Sequence, residues 1–158
     1  MAADGRWLLT SSTDEVTLDR ILDLVGEMTT SGEVEEDARM QFEVAVAEIG
    51  ANIIEHAGRG GTVSLTLELE LTPDRLEARF SDDGHPARVD LRTVEMPDVM
   101  ADRGRGLAIA LAALDELEYR RRGGSNQWRL VCYRGDDNDN DNDNDNDDND
   151  NEVSDPDR

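Results

Sequence analysis

The sequence predicts an α+β fold: a two-layer sandwich with a mostly antiparallel sheet and helices on one face. Three observations predict it. Apolar residues recur at helical spacing in two long segments near the start of the chain. A strict alternation, Val63, Leu65, Leu67, Leu69 and Leu71, is followed by a Thr72-Pro-Asp-Arg75 turn and a returning strand, Leu76 to Phe80. A second hairpin, Leu117 to Arg122 and Gln127 to Arg134, closes the domain across Gly123-Gly-Ser-Asn126.

In chain order, Trp7 to Ser12 is a short strand, and Trp7 reads either as an exposed contact ring or as the one buried ring of an ordinary edge strand. Thr13-Asp-Glu has the form of a helix N-cap followed by first-turn acids, leading into a helix that ends near Met28. Thr29 to Gly32 breaks the chain. Acids at Glu33, Glu35, Glu36 and Asp37 then open a central helix, where they suit the positive N-terminal end, and Gly58 to Gly61 ends it. Residues 87 to 103 show no clear periodicity, and a loop of that length inside one domain reads as a lid or binding segment. A glycine-rich turn, Asp102-Arg-Gly-Arg-Gly106, opens an apolar helix reaching Leu114.

The domain ends at residue 135, and residues 136–158 are nearly pure Asp-Asn alternation. That segment has nothing apolar to bury and repels itself, so disorder is expected. It holds twelve acids and one arginine, half of the formal charge of −22, and leaves −11 on the domain. Such a balance argues against a nucleic-acid backbone or an anionic membrane as partner. No apolar run is long enough to span a bilayer, and the N-terminus lacks the basic start and apolar middle of a signal peptide. The lone Cys132 forms no internal disulfide, so a cytoplasmic location is expected. Every basic residue of the chain is arginine. The absence of lysine excludes a Walker A lysine and Schiff-base chemistry, so phosphate would be handled by arginine, backbone amides and a metal ion.

Polar residues gather in three places. On the central helix, Glu48, Asn52 and His56 are each four apart and share a stripe, with Phe42, Ala45, Val46, Ile49 and Ile53 on the core face. A carboxylate one turn below a carboxamide offers a general base and a neutral oxygen ligand for a hard cation such as Mg²⁺. Asp82-x-Gly84 ends a strand, where a carboxylate can accept from an exocyclic amine and glycine lets a flat ring approach the backbone. Arg103-Gly104-Arg105-Gly106 begins a helix, whose free amides favour an anion. Each pattern alone has an ordinary structural explanation; their joint occurrence in this order does not.

These segments, Val46 to Ala57, Phe80 to Gly84 and Gly104 to Ala108, resemble the N box and the two glycine boxes of the Bergerat-fold (GHKL) ATPases, whose ATP-binding domain is histidine-kinase-like. The closest resemblance is to the small single-domain anti-sigma-factor serine kinases of partner-switching systems, and it covers nearly all of residues 7 to 134. The resemblance implies ATP and Mg²⁺ as cofactors, with Glu48 as general base and Asn52 as metal ligand. It implies that Asp82 reads the adenine amino group beside Gly84. Gly104, Gly106 and Leu107 belong to the phosphate-binding turn, with Arg105 and Arg103 balancing charge. It further implies transfer of phosphate to a serine on an antagonist protein, sequestration of a sigma factor or equivalent regulator, and a homodimer. Pro86 departs from the wider pattern, which has glycine there. The alternatives are a nucleotide-gated binding module without phosphotransfer, a bare ATPase, and an α+β domain with no ligand.

Overall fold

A computed structural model gives the fold for residues 5–59, 61–87 and 105–135, the side chains of His56 and Arg105 excepted. The elements run β1 (Gly5–Ser12), α1 (Thr17–Ser31), α2 (Glu36–Asn52), a π-helical turn (Ile53–Ala57), β2 (Ser64–Leu71), β3 (Arg75–Asp82), α3 (Arg105–Ala113), β4 (Glu116–Arg122) and β5 (Ser125–Tyr133). Among the described residues five strands form one sheet in the order β1-β2-β3-β5-β4, every neighbouring pair antiparallel. The three helices pack on one face, so the predicted two-layer α+β architecture is the observed one. No helix among the described residues is long and apolar enough to cross a membrane.

The period-2 pattern decides which face meets the helices. Leu65, Leu67, Leu69 and Leu71 of β2 and Leu76, Ala78 and Phe80 of β3 are buried with Trp128, Leu130 and Cys132 of β5. They meet Ile21, Val25 and Met28 of α1 and Phe42, Val46 and Ile49 of α2. Removing each large side chain from water stabilises the fold by about 1.5–3 kcal/mol relative to leaving it exposed, so this seam sets the register.

The opposite sheet face is polar and built on one buried carboxylate. Glu77, 1% exposed, lies under Arg79, 3.0 Å from its Oε2, with the Arg129 Nε at its other oxygen. Arg75 stands 4.0 Å away. A hollow of about 530 Å³ on that face is an open strand surface with Arg79, Arg120 and Gln127 along it, and none of the predicted site residues lines it.

Several local readings are corrected. Thr13 does not cap α1: it is buried, and its Oγ1 accepts from the Val63 amide at 3.0 Å, tying the end of β1 to the approach to β2. The cap position, Val16, has no side-chain cap; Asp14 instead braces the turn before it, accepting from the Val16 amide and the Thr17 hydroxyl. Those bonds hold its carboxyl below the ordinary carboxylate range. Of the two readings of Trp7 the buried ring holds: it is half-buried against the core, and the exposed large apolar residue of β1 is Leu8. The second hairpin turns in two residues, Gly123 and Gly124, both at positive φ. That geometry matches strand twist and needs no more chain, so Ser125 and Asn126 already belong to β5.

Candidate nucleotide site

Strand parity puts a carboxylate among the leucines. Leu76, Ala78 and Phe80 face the helices, so Asp82, two residues further, must face them too, at the edge of the core. It is 3% exposed. Its Oδ1 accepts from the Gly84 amide and from Asn126 Nδ2, both at 2.9 Å. Its Oδ2 is buried and has no hydrogen-bond partner among the described residues. Buried acceptors are nearly always paired, so this oxygen, at the edge of an open cavity, is an acceptor free for a donor that enters it. Asp83, next in sequence, points outward and accepts from the Ser64 amide at 2.8 Å, a structural role only.

Asp82 is held by a network that the sequence did not disclose. Asn126, 1% exposed on β5, lies directly opposite Asp82 in the ladder. Besides Asp82, its Nδ2 donates to the His85 carbonyl at 2.7 Å. Its Oδ1 accepts from the Tyr119 hydroxyl at 2.6 Å and from Arg121 Nη1 at 2.8 Å. Arg121 also donates to the Gly84 carbonyl, and the Tyr119 hydroxyl accepts from the Ala87 amide. Within the run Arg120 to Arg122, then, the middle arginine braces the site, while Arg120 lies on the polar sheet face. The only sequence signal for Asn126 was a polar residue two positions before the core residue Trp128, which implies an inward side chain once it is placed in the strand.

The opposite wall comes from α2. Asn52 is the last residue of the α-helix, one turn beyond Glu48, and both are half-buried. The predicted four-residue stacking stops there, because Ile53–Ala57 winds as a π-helix. Such turns are uncommon and concentrate at functional sites. The wider turn brings the Ala57 carbonyl to the His85 amide at 2.8 Å. Gly84 is seated on the same residue, and a Cβ there would come within 2.5 Å of the Ala57 oxygen. The glycine therefore serves the close approach of the Asp82 turn to the end of the helix. A cavity of about 300 Å³ opens between the two walls, with Asn52, Arg59, Asp82, His85 and Asn126 along it.

Gly106 brings α3 against the same stripe. A Cβ at this position would overlap Glu48 Oε2, so any larger residue would push that carboxylate aside, whereas glycine lets the start of α3 lie on it. Leu107, next in the helix, packs against the core. Arg105 opens α3, but its side chain, like Arg103, Gly104 and the segment from residue 88, lies outside the described residues. The structure thus brings together Asn52, Asp82 and Gly84 around the cavity, and Glu48 with Gly106 beside it.

The donor set can be tested against an adenine nucleotide and its metal ion. A buried, unpaired carboxylate oxygen suits an exocyclic amine, and Asn52 offers a neutral oxygen to a hard cation. No cluster of three or more His, Cys, Asp or Glu among the described residues forms a protein metal cage. Mg²⁺ commonly takes one or two protein ligands and completes its shell with phosphate oxygens and water, so the residues fit it.

The family model of the histidine kinase-like ATPase domain matches residues 10–132. The chain belongs to the histidine kinase-like ATPase family. That match runs from within β1 to within β5 and includes all the site residues just described. No curated protein matches this chain. Membership in the ATPase family supports ATP binding, and the orphaned Asp82 oxygen and the Asn52 wall supply a physical basis for it in this chain.

Proposed function

We propose that the domain is an ATP-dependent protein serine kinase of a partner-switching system, one that also acts as a binding switch. The observation that carries the nucleotide part is the buried Asp82 Oδ2, unpaired at a cavity whose far wall ends in Asn52. Asp82 takes the adenine amino group, and Asn52 holds Mg²⁺, which supplies positive charge to the phosphates when bound. Glu48 then lies on the phosphate side and accepts the proton of an incoming serine hydroxyl. The serine oxygen bonds to the γ-phosphorus, the bond from γ-phosphorus to the bridging oxygen breaks, and ADP leaves with that electron pair.

The partners in this reading are an antagonist protein carrying the acceptor serine and a sigma factor or equivalent regulator. Charge supports a basic partner surface: residues 14–55, which hold α1 and α2, carry twelve acids and two arginines. A homodimer belongs to the same reading, and β1 is an edge strand with Leu8 63% exposed.

The test is transfer of labelled γ-phosphate from ATP to an antagonist domain by wild type and Glu48→Gln. The proposal expects a labelled serine with wild type, and a loss of at least 100-fold in transfer with unchanged ADP affinity in the variant. Binding without transfer would make the protein a nucleotide-gated binding module. Label released only to water would make it a bare ATPase.

A further inference from the structure

No motif in the sequence points to Arg59. It follows the π-helical turn, at the tip of a tight turn closed by the Gly61 amide donating to the Gly58 carbonyl at 2.8 Å. A side chain at position 58 would run into the Gly61 carbonyl, so the turn has no slack. Arg59 itself has φ +45°, in the left-handed region that glycine adopts freely and that β-carbon sterics disfavour for arginine. A non-glycine residue kept in that region points to a use for its side chain.

That side chain borders the cavity that holds Asp82 and Asn52. It is exposed, and among the described residues it makes no hydrogen bond or ion pair, although acids are abundant in this domain. Of the described residues along the cavity it is the one with a permanent positive charge. An ATP molecule, bearing several negative charges, must approach a domain of net charge −11. A cation at the mouth offsets that repulsion locally and rewards phosphates over a bare nucleoside.

We infer that Arg59 is a phosphate-binding residue of the nucleotide site, held at the cavity mouth by a strained turn, and that it selects nucleotides over nucleosides. This rests on the adenine-nucleotide reading of the cavity. Its guanidinium meets the phosphates as they emerge from the Asp82 end of the cavity.

Arg59→Gly separates this role from a structural one, because glycine relaxes the turn while removing the charge. The expected result is a melting temperature equal to or above wild type, an ADP affinity about 10-fold lower, and an unchanged adenosine affinity. The ADP affinity of the variant should also depend less steeply on salt. Arg59→Lys, which keeps a charge at the tip, should recover most of the ADP affinity. Equal ADP affinity in Arg59→Gly and wild type overturns the inference, as does a parallel loss for ADP and adenosine. If wild type binds neither adenosine nor ADP, the reading of the cavity fails first and this inference with it.

Discussion

Replacing Asn126 with alanine should unhook the Asp82 carboxylate, and the structure allows the cost to be worked out. Asn126 gives Asp82 a charge-assisted bond inside the core, which is worth about 1.5–3 kcal/mol. It also satisfies the His85 carbonyl, for about 1 kcal/mol. The Tyr119 hydroxyl and Arg121 lose an acceptor, but Tyr119 is half-buried and Arg121 exposed, so water replaces most of that loss. Little extra cavity cost arises, since the vacated space adjoins an open hollow. The sum is about 3 kcal/mol, or about 10 °C in melting temperature for a domain of this size. Urea unfolding should show a lower midpoint with an unchanged slope. Calorimetry should show adenosine affinity falling at least 10-fold, because Asp82 is free to turn. Asn126→Asp keeps the shape but sets a second carboxylate against Asp82. Each carboxyl then raises the pKa of the other, so that variant should regain stability relative to wild type as pH falls toward about 4, with the regain complete below it. A loss under about 0.5 kcal/mol for Asn126→Ala, with adenosine affinity intact, would refute the reasoning, since surface changes routinely stay within that range.

Two further outcomes follow from the geometry. Gly106→Ala should leave stability unchanged or raise it by up to about 1 kcal/mol, through helix propensity. The new methyl displaces the Glu48 carboxylate, so ATP turnover should fall at least 10-fold while ADP affinity stays within about threefold; unchanged turnover would show that the α3 contact does not position Glu48. The Cys132 thiol is pushed up from 9.0 to about 11, first by burial and then by Asp115. In the unfolded chain the thiol ionises first, so stability should fall between pH 9 and about 11, by on the order of 2 kcal/mol, and native protein at pH 8 should resist thiol reagents. Tyr133, whose hydroxyl is also raised from 10.0 by its bond to Glu116, titrates alongside, so a clearly smaller loss across that window in Cys132→Ala than in wild type is the check.

The sheet and two of the site's walls were legible because their signals are periodic. The alternation from Val63 to Leu71 fixed a face, and continuing the parity of β3 placed Asp82 on it. The Glu48–Asn52 stripe needed only helical spacing. What stayed hidden depends on departures from a regular period. Asn126 read as part of a turn because Gly-Gly-Ser-Asn is rich in turn residues. Two glycines at positive φ close that turn unaided, and the asparagine becomes the pivot of the site. The π-helical turn after Asn52 leaves no mark on the hydrophobic pattern, yet it decides which backbone atom meets the Asp82 turn and where Arg59 emerges. Gly84 was read from the sequence as letting a flat ring approach; the close neighbour among the described residues is the Ala57 carbonyl, which no local pattern names.

The central claim is that Asp82 Oδ2 awaits the amino group of adenine. The most direct test is calorimetric titration of wild-type protein with ADP and with inosine diphosphate, in the presence of Mg²⁺. Inosine carries a carbonyl where adenine carries the amine, and two acceptors facing each other leave the buried carboxylate unpaired. The account predicts binding of ADP and an affinity for inosine diphosphate lower by about 10- to 100-fold. Equal affinities for the two, or no binding of ADP, would contradict it.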